Sequence, residues 1–171
     1  PPLQRRGIGL VTTHLRSIVI EMRDRISELR EMELHHCDFL ERLKAFGQTE
    51  SERDGIRFEI QVRGTCRTLT PNTQDQLLMV ACEAIRNALK HAKPRTVLVE
   101  VTYVSSGLSL EVIDDGVGID DRIALGGQAD GHFGLPGMRE RVSQIGGDMT
   151  IRGRAPIGTR LLVWIPATSA F

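Results

Sequence analysis

The chain has 171 residues, 40% of them apolar and 26% charged, enough to bury one core and too few for two large domains. Its 22 Lys and Arg balance 22 Asp and Glu, so no net field draws in nucleic acid or an anionic membrane, and any anion must be held by local geometry. Cys37, Cys66 and Cys82 are spaced neither as a zinc site nor as a disulfide scaffold, which fits a reducing compartment, and no apolar run reaches the roughly 18 residues of a membrane span.

In chain order, Pro1-Pro2 in place of Met suggests a piece of a longer polypeptide. Apolar residues at helical spacing from Leu15 to Met32, with Leu15, Met22 and Leu29 one heptad apart, predict a helical extension over residues 1–35 that wants a partner helix. Arg25 interrupts the other heptad position. A short helix is expected from Asp38 to Phe46, where Phe39, Leu40, Leu43 and Phe46 share a face, with the polar stretch Gly47 to Gly55 ending it. Ile56, Phe58, Ile60 and Val62 alternate as in a half-buried strand.

Thr70-Pro71 offers a cap and a first-turn proline to a helix running to Ala92, closed by Pro94. Val97 to Tyr103 and Leu108 to Val112 alternate on either side of Ser105-Ser106-Gly107, which predicts an antiparallel hairpin. Gly126 to Gly137 is glycine-rich and reads as a loop, followed by a helix from Leu135 to Ile145 stopped by Gly146-Gly147. Two last strands, Met149 to Arg154 and Thr159 to Ile165, meet at a turn containing Pro156. The whole predicts an α/β fold, a two-layer sandwich with helices on one face of a mixed, mostly antiparallel sheet, over residues 36–171.

Four short motifs carry chemistry. In EAIRNALKH, a 100° advance per residue puts Glu83, Asn87, Lys90 and His91 on one helix face, with Leu78, Cys82, Ile85 and Leu89 nearly opposite and expected against the sheet. A carboxylate, an amide, an ammonium and an imidazole could position hydrated Mg²⁺ and the phosphates it bridges; a solvated face is the plain alternative. In IDDGVGI, Asp114 ends a strand, where its carboxylate could accept from an exocyclic amine, while Gly116 and Gly118 let the backbone approach a flat ring. In GHFGLPGMRERV, a glycine-rich loop runs into a helix start, a place that attracts anions; Arg139 and Arg141 early in that helix argue weakly for a phosphate. Gly158-Thr159 opens the last strand with a small residue and a hydroxyl.

In this order the motifs resemble the N, G1, G2 and G3 boxes of the Bergerat-type (GHKL) ATPases, and EAIRNALKHA and GHFGLPGMRERV are similar to sensor histidine kinases related to the nitrate sensors. The resemblance covers roughly residues 56–166. It implies ATP and Mg²⁺ as ligands, with Asn87 on Mg²⁺, Glu83 holding or activating a metal-bound water, and Lys90 and His91 near phosphate oxygens. Asp114 would read the adenine amine with Thr159 nearby, Gly116 and Gly118 would shape the adenine wall, and Gly134, Leu135, Gly137 and Met138 would belong to the lid and phosphate-binding turn.

The same resemblance implies a phosphoacceptor histidine on a dimeric bundle, roughly a hundred residues before the asparagine. His14, His35 and His36 do not meet that spacing, so the acceptor is expected outside this chain and residues 1–35 as the tail of the dimerisation bundle. A response regulator, the protein's own phosphoacceptor domain and a second copy are the implied partners, with no nucleic acid. A cytoplasmic domain of a protein anchored in the inner or plasma membrane is the implied setting. The fold also serves serine kinases that control sigma factors and ATP-driven clamps; the short interval between the two glycine boxes counts against a clamp.

Overall fold

The computed structural model describes residues 38–120, 134–153 and 157–171. The helical extension over 1–35, the histidines at 14, 35 and 36, the loop before Gly134 and the Pro156 turn lie outside the described residues.

Alternation of apolar and polar side chains builds the sheet. In β2 (Thr96–Val104), β3 (Gly107–Asp114) and β5 (Thr159–Pro166), alternate residues such as Val99, Val101, Leu110 and Val163 are fully buried, and most of those between them are partly exposed. β2 and β3 form the expected hairpin, with Val99 opposite Val112 and Val104 opposite Gly107. β5 pairs antiparallel with β3, and β4 (Asp148–Gly153) pairs antiparallel with β5 at one edge. β1 (Arg57–Arg63) joins the other edge parallel to β2, which is possible because a helix lies between them in sequence. The order β1-β2-β3-β5-β4 is mixed and mostly antiparallel, as expected.

One face of this sheet is apolar and covered by helices; the other carries charge. Glu100 and Glu111 stand directly opposite on β2 and β3, an unfavourable like-charge pair. Arginines on the flanking strands relieve it: Arg63 reaches Glu100 at 2.9 Å and Arg160 reaches Glu111 at 2.6 Å.

The covering layer departs from the sequence reading in two places. Helix α1 spans Asp38–Glu52, beyond the expected end at Phe46, and buries Phe39, Leu40, Leu43, Gly47 and Ser51. Gly47 does not stop the helix because it is a contact site: a Cβ there would run into the Phe58 ring of β1. The true stop is Gly55 in the left-handed region, with Ile56 N–H returning to the Ser51 carbonyl at 3.0 Å. Helix α2 spans Pro71–Asn87 and is capped as predicted, Thr73 N–H donating to Thr70 Oγ1 at 3.3 Å. Its buried face, however, is Leu77, Val80, Ala81, Ala84 and Ile85. Of the four residues expected against the sheet only Ile85 is fully buried; Leu78 and Cys82 instead line a surface groove between α1, α2 and helix α3 (Gly134–Gln144). The helix packs against the sheet and against α1 and α3, so its buried stripe is set by all three neighbours and not by the sheet alone.

After Asn87 the chain leaves α geometry for one π turn, Ala88–Ala92, and ends on Lys93 with φ 49°. Constant 100° periodicity cannot foresee such a turn, and such turns gather at functional sites. Helix α3 begins at Gly134, one residue before the expected start at Leu135, so the end of the glycine-rich stretch is helical, and it stops as expected, Gly146 and Gly147 donating to the Ser143 and Val142 carbonyls. A last short helix, α4 (Ala167–Ala170), was not foreseen. Its Ser169 carbonyl accepts from the buried Thr73 hydroxyl at 2.7 Å, and its Ala170 carbonyl from Thr70 N–H at 3.0 Å, tying the C-terminal residues to the start of α2. Cys66 is disulfide-bonded, against the expectation of reduced cysteines, and Cys82 is free. Among the described residues no helix is long and apolar enough to cross a membrane.

Candidate functional site

The site sits where α2, its π turn, the end of β3 and the start of β5 meet. There a hollow of about 440 Å³ opens, walled by Glu83, Ala84, Asn87, Ala88, Lys90, His91, Ala92, Val112, Asp114, Gly118, Ile119, Asp120, Gly134, Leu135, Met138, Ile151, Thr159 and Leu161. That volume is in the range of small-molecule sites, and the mixture of an apolar lining with a few polar groups is what such sites show.

Asp114 is the one buried carboxylate among the described residues, 5% exposed. It is there because β3 alternates inward at that position and the chain turns immediately after it. Its Oδ1 accepts from Gly116 N–H at 2.8 Å and from Thr159 N–H at 3.3 Å, and the Thr159 hydroxyl bonds to the carboxylate as well. Burial raises the Asp114 pKa from its ordinary value, and these hydrogen bonds partly offset the rise. A buried acceptor fixed by three donors on its own backbone and neighbour is a rigid reader of one further donor.

Glycines make the turn possible at two points. A Cβ on Gly116 would run into the Ala92 carbonyl, and one on Gly158, whose φ is 110°, would run into the Asp114 carbonyl. Three backbone segments therefore close around Asp114 with no side chain between them.

At the other end, Glu83 and Asn87 lie one helical turn apart on α2, and both border Gly134: a Cβ there would collide with Glu83 Oε1 and come within 3.3 Å of Asn87 Nδ2. Lys90 and His91 follow in the π turn, exposed at the rim of the same hollow. A cation that prefers oxygen ligands would find the Glu83 carboxylate and the Asn87 amide on the same wall, one helical turn apart.

The structure thus gathers Glu83, Asn87, Lys90, His91, Asp114, Gly118, Gly134, Leu135, Met138 and Thr159. Two expected residues are not in the wall. Gly116 acts behind it, against Ala92, and Gly137 faces the neighbouring groove with Phe46, Leu78, Met79 and Arg141. The arginines offered as weak phosphate signals bond to protein groups: Arg141 donates to Gln76 Oε1 at 2.9 Å and Arg139 to the Met149 carbonyl at 3.4 Å. Sequence reading also missed the apolar walls Val112, Ile151 and Leu161. Their only signal was strand alternation, which marks burial without saying against what.

Asp115, the second carboxylate of the motif, does not line the hollow. Its Oδ1 accepts Arg95 N–H at 2.8 Å and Thr96 N–H at 2.9 Å; the Thr96 amide first, with the Arg95 amide, holds its pKa below the ordinary value against the opposing effect of burial.

Comparison with known proteins agrees with this arrangement. Residues 72–169 match the family described as histidine kinase-, DNA gyrase B-, and HSP90-like ATPase. The chain is 30% identical over 155 residues to the signal transduction histidine-protein kinase/phosphatase DegS of Brevibacillus brevis, covering 91% of this chain and 39% of that protein. It is 25% identical over 163 residues to the nitrate/nitrite sensor protein NarX of Escherichia coli K12, covering 95% of this chain and 26% of that one. The chain therefore spans well under half the length of these relatives. In fold it is similar to the catalytic domain of the histidine kinase ThkA, with a TM-score of 0.65 at 14% identity over 78% of this chain and 92% of that one. It is similar also to the histidine kinase domain of a blue-light activated kinase from Erythrobacter litoralis EL346, with a TM-score of 0.60 at 24% identity over 74% and 59% of the two chains. The family match runs from the first turn of α2 into the closing helix α4 and so encloses every wall of the hollow; the chain belongs to the histidine kinase-, DNA gyrase B- and HSP90-like ATPases.

Proposed function

We propose that this chain is the catalytic domain of a sensor histidine kinase, which binds Mg-ATP in the hollow and gives the γ-phosphoryl group to a histidine outside these 171 residues. The observation that carries the reading is the buried Asp114 carboxylate at one end of a cavity whose other end holds Glu83, Asn87, Lys90 and His91. Adenine offers an amine to the first, and a triphosphate offers negative charge to the last two.

In this reading Asp114 accepts the adenine amine, with Thr159 beside it, and Gly116 and Gly118 keep the backbone close to the ring. Asn87 would hold Mg²⁺ directly and Glu83 would reach it through water; the ion would supply charge neutralisation on the phosphate oxygens. Lys90 and His91 approach the same oxygens, while Gly134, Leu135, Gly137 and Met138 belong to the element that closes over the phosphates and excludes water. The chain's own contribution is positioning and electrostatics. The γ-phosphoryl group passes to a histidine nitrogen as its bond to the β-phosphate oxygen breaks, leaving ADP.

Residues 1–35 are, in this reading, the tail of a dimerisation bundle, and 36–171 the ATP-binding part of a homodimeric, membrane-anchored protein whose phosphohistidine supplies a response regulator. The experiment is a calorimetric titration of the chain with Mg-ADP, repeated on Asp114→Asn and Asn87→Ala. The reading expects binding by the wild type, weaker binding by Asp114→Asn, and loss of the magnesium-dependent part of the affinity in Asn87→Ala; no heat with the wild type sinks it. The rival, a serine kinase on the same fold, is separated by acid treatment of the phosphorylated acceptor, because phosphohistidine is lost in acid and phosphoserine survives.

A further inference from the structure

The sequence Ile113 to Ile119 holds two consecutive carboxylates, and only Asp114 belongs to the cavity wall. Asp115 spends its Oδ1 on the adjacent backbone N–H groups of Arg95 and Thr96, at 2.8 and 2.9 Å. Two residues further on, Val117 N–H donates to the Ala92 carbonyl at 2.9 Å, and Gly116 packs against that same carbonyl with no room for a Cβ. Residues 115–117 therefore grip the chain on both sides of Lys93 and Pro94. Lys93 is the one non-glycine residue with positive φ among the described residues, a conformation that persists only where its surroundings hold it. Immediately before it stands the π turn that brings Lys90 and His91 to the cavity rim.

We propose that Asp115 is a positioning residue for nucleotide binding: its carboxylate locks the 92–96 turn onto the Asp114 segment and so sets the span between the adenine-reading carboxylate and the phosphate-facing Lys90 and His91. This rests on the reading of the hollow as a nucleotide site. The requirement is for an oxygen acceptor of two donors, which a carboxylate meets and a side-chain amide oxygen can also meet, having two lone pairs. A methyl group cannot. Without the acceptor the Arg95 and Thr96 amides turn to water, the π turn loses its anchor, and the two ends of the cavity no longer keep a fixed spacing.

The test compares wild type, Asp115→Asn and Asp115→Ala in the full chain, each shown folded by circular dichroism, by titration with Mg-ADP. The expected result is a dissociation constant raised about tenfold or more by Asp115→Ala and less than about threefold by Asp115→Asn, since the amide oxygen keeps the two bonds. In the ligand-free state, the backbone amide resonances of Lys90 and His91 should move in Asp115→Ala and stay near wild type in Asp115→Asn, which a general loss of stability would not produce. A folded Asp115→Ala that binds like wild type overturns the proposal while leaving the nucleotide reading intact; so does an Asp115→Asn that loses as much as Asp115→Ala. Wild type that binds no Mg-ADP removes the underlying reading and the proposal with it. Should Asp115→Ala not fold, Asp115→Ser, whose shorter hydroxyl cannot reach both amides, takes its place: weakened binding supports the proposal and wild-type binding overturns it.

Discussion

Thr159 N–H donates to Asp114 Oδ1 across 45 residues of sequence, so the first residue of β5 helps to fix the last residue of β3. The bond follows from register: Ile113 pairs with Arg160, which leaves Asp114 and Thr159 side by side where the two strands diverge. Replacing Asp114 by Asn keeps an oxygen for Gly116 and Thr159 but removes the charge that a ligand amine would meet. Loss of one charge-assisted hydrogen bond, about 1.5 to 3 kcal/mol, predicts a ten- to hundredfold weaker dissociation constant for Mg-ADP by calorimetry.

The same substitution should make the free protein more stable at neutral pH. Burial raises the Asp114 pKa, so the folded state takes up a proton more readily than the unfolded chain, and the ionised carboxylate opposes folding. That penalty is absent below the unfolded value of 3.8 and is complete once pH has risen through the folded one. The melting temperature of Asp114→Asn should therefore exceed wild type at pH 7, and the gap should shrink as pH falls into the acid range. Asp115 has the opposite sign: its lowered pKa contributes stability above 3.8 that is lost as pH falls through its folded value, so Asp115→Asn should blunt acid denaturation.

Asn87→Ala should separate the metal from the base. With the adenine end intact, ADP alone should bind the variant about as it binds wild type, while the added affinity that magnesium gives wild type should disappear. Parallel titrations with magnesium and with a chelator read this directly; undiminished magnesium enhancement would remove Asn87 from the metal.

Gly116→Ala pushes a methyl group into the Ala92 carbonyl. Overpacking of this kind costs about 1 to 3 kcal/mol, and it falls on the junction of the π turn and Asp114, so urea denaturation and nucleotide affinity should both suffer. Ala88→Gly would be an unsuitable control, since it loosens the same turn; Val117→Ala, at a side chain 73% exposed, should change neither.

Thr73→Val tests the C-terminal tie. The buried Thr73 hydroxyl donates to the Ser169 carbonyl at 2.7 Å, and an isosteric apolar group leaves that carbonyl without the bond. A loss of about 1 to 2 kcal/mol in stability is expected, with nucleotide affinity nearly unchanged because Glu83 lies almost three turns away along α2.

Much of this arrangement was legible because it rests on local chemistry. The β2–β3 hairpin follows from unbroken alternation, the start of α2 from Thr70-Pro71, and the stop of α3 from Gly146-Gly147. What escaped depends on contacts between distant segments. Gly47 reads as a breaker until the Phe58 ring is placed against it, and Leu78 and Cys82 read as core until α1 and α3 are seen to leave them in a groove. The site divides in the same way. Glu83, Asn87 and Asp114 were found through motif spacing, whereas the division of labour between Asp114 and Asp115 depends on which backbone amides the fold brings to each.

The chain's single tryptophan, Trp164, lies in β5 opposite Ser109 on β3 and Asp148 on β4, its ring set against Gly107. It stands five residues along the strand from Thr159, roughly 16 Å at about 3.3 Å per residue. Its emission is thus an intrinsic gauge of whether the sheet is assembled. Fluorescence can follow unfolding of the variants above without and with ligand, and the shift between the two reads binding by mass action, beside the heat measured by calorimetry.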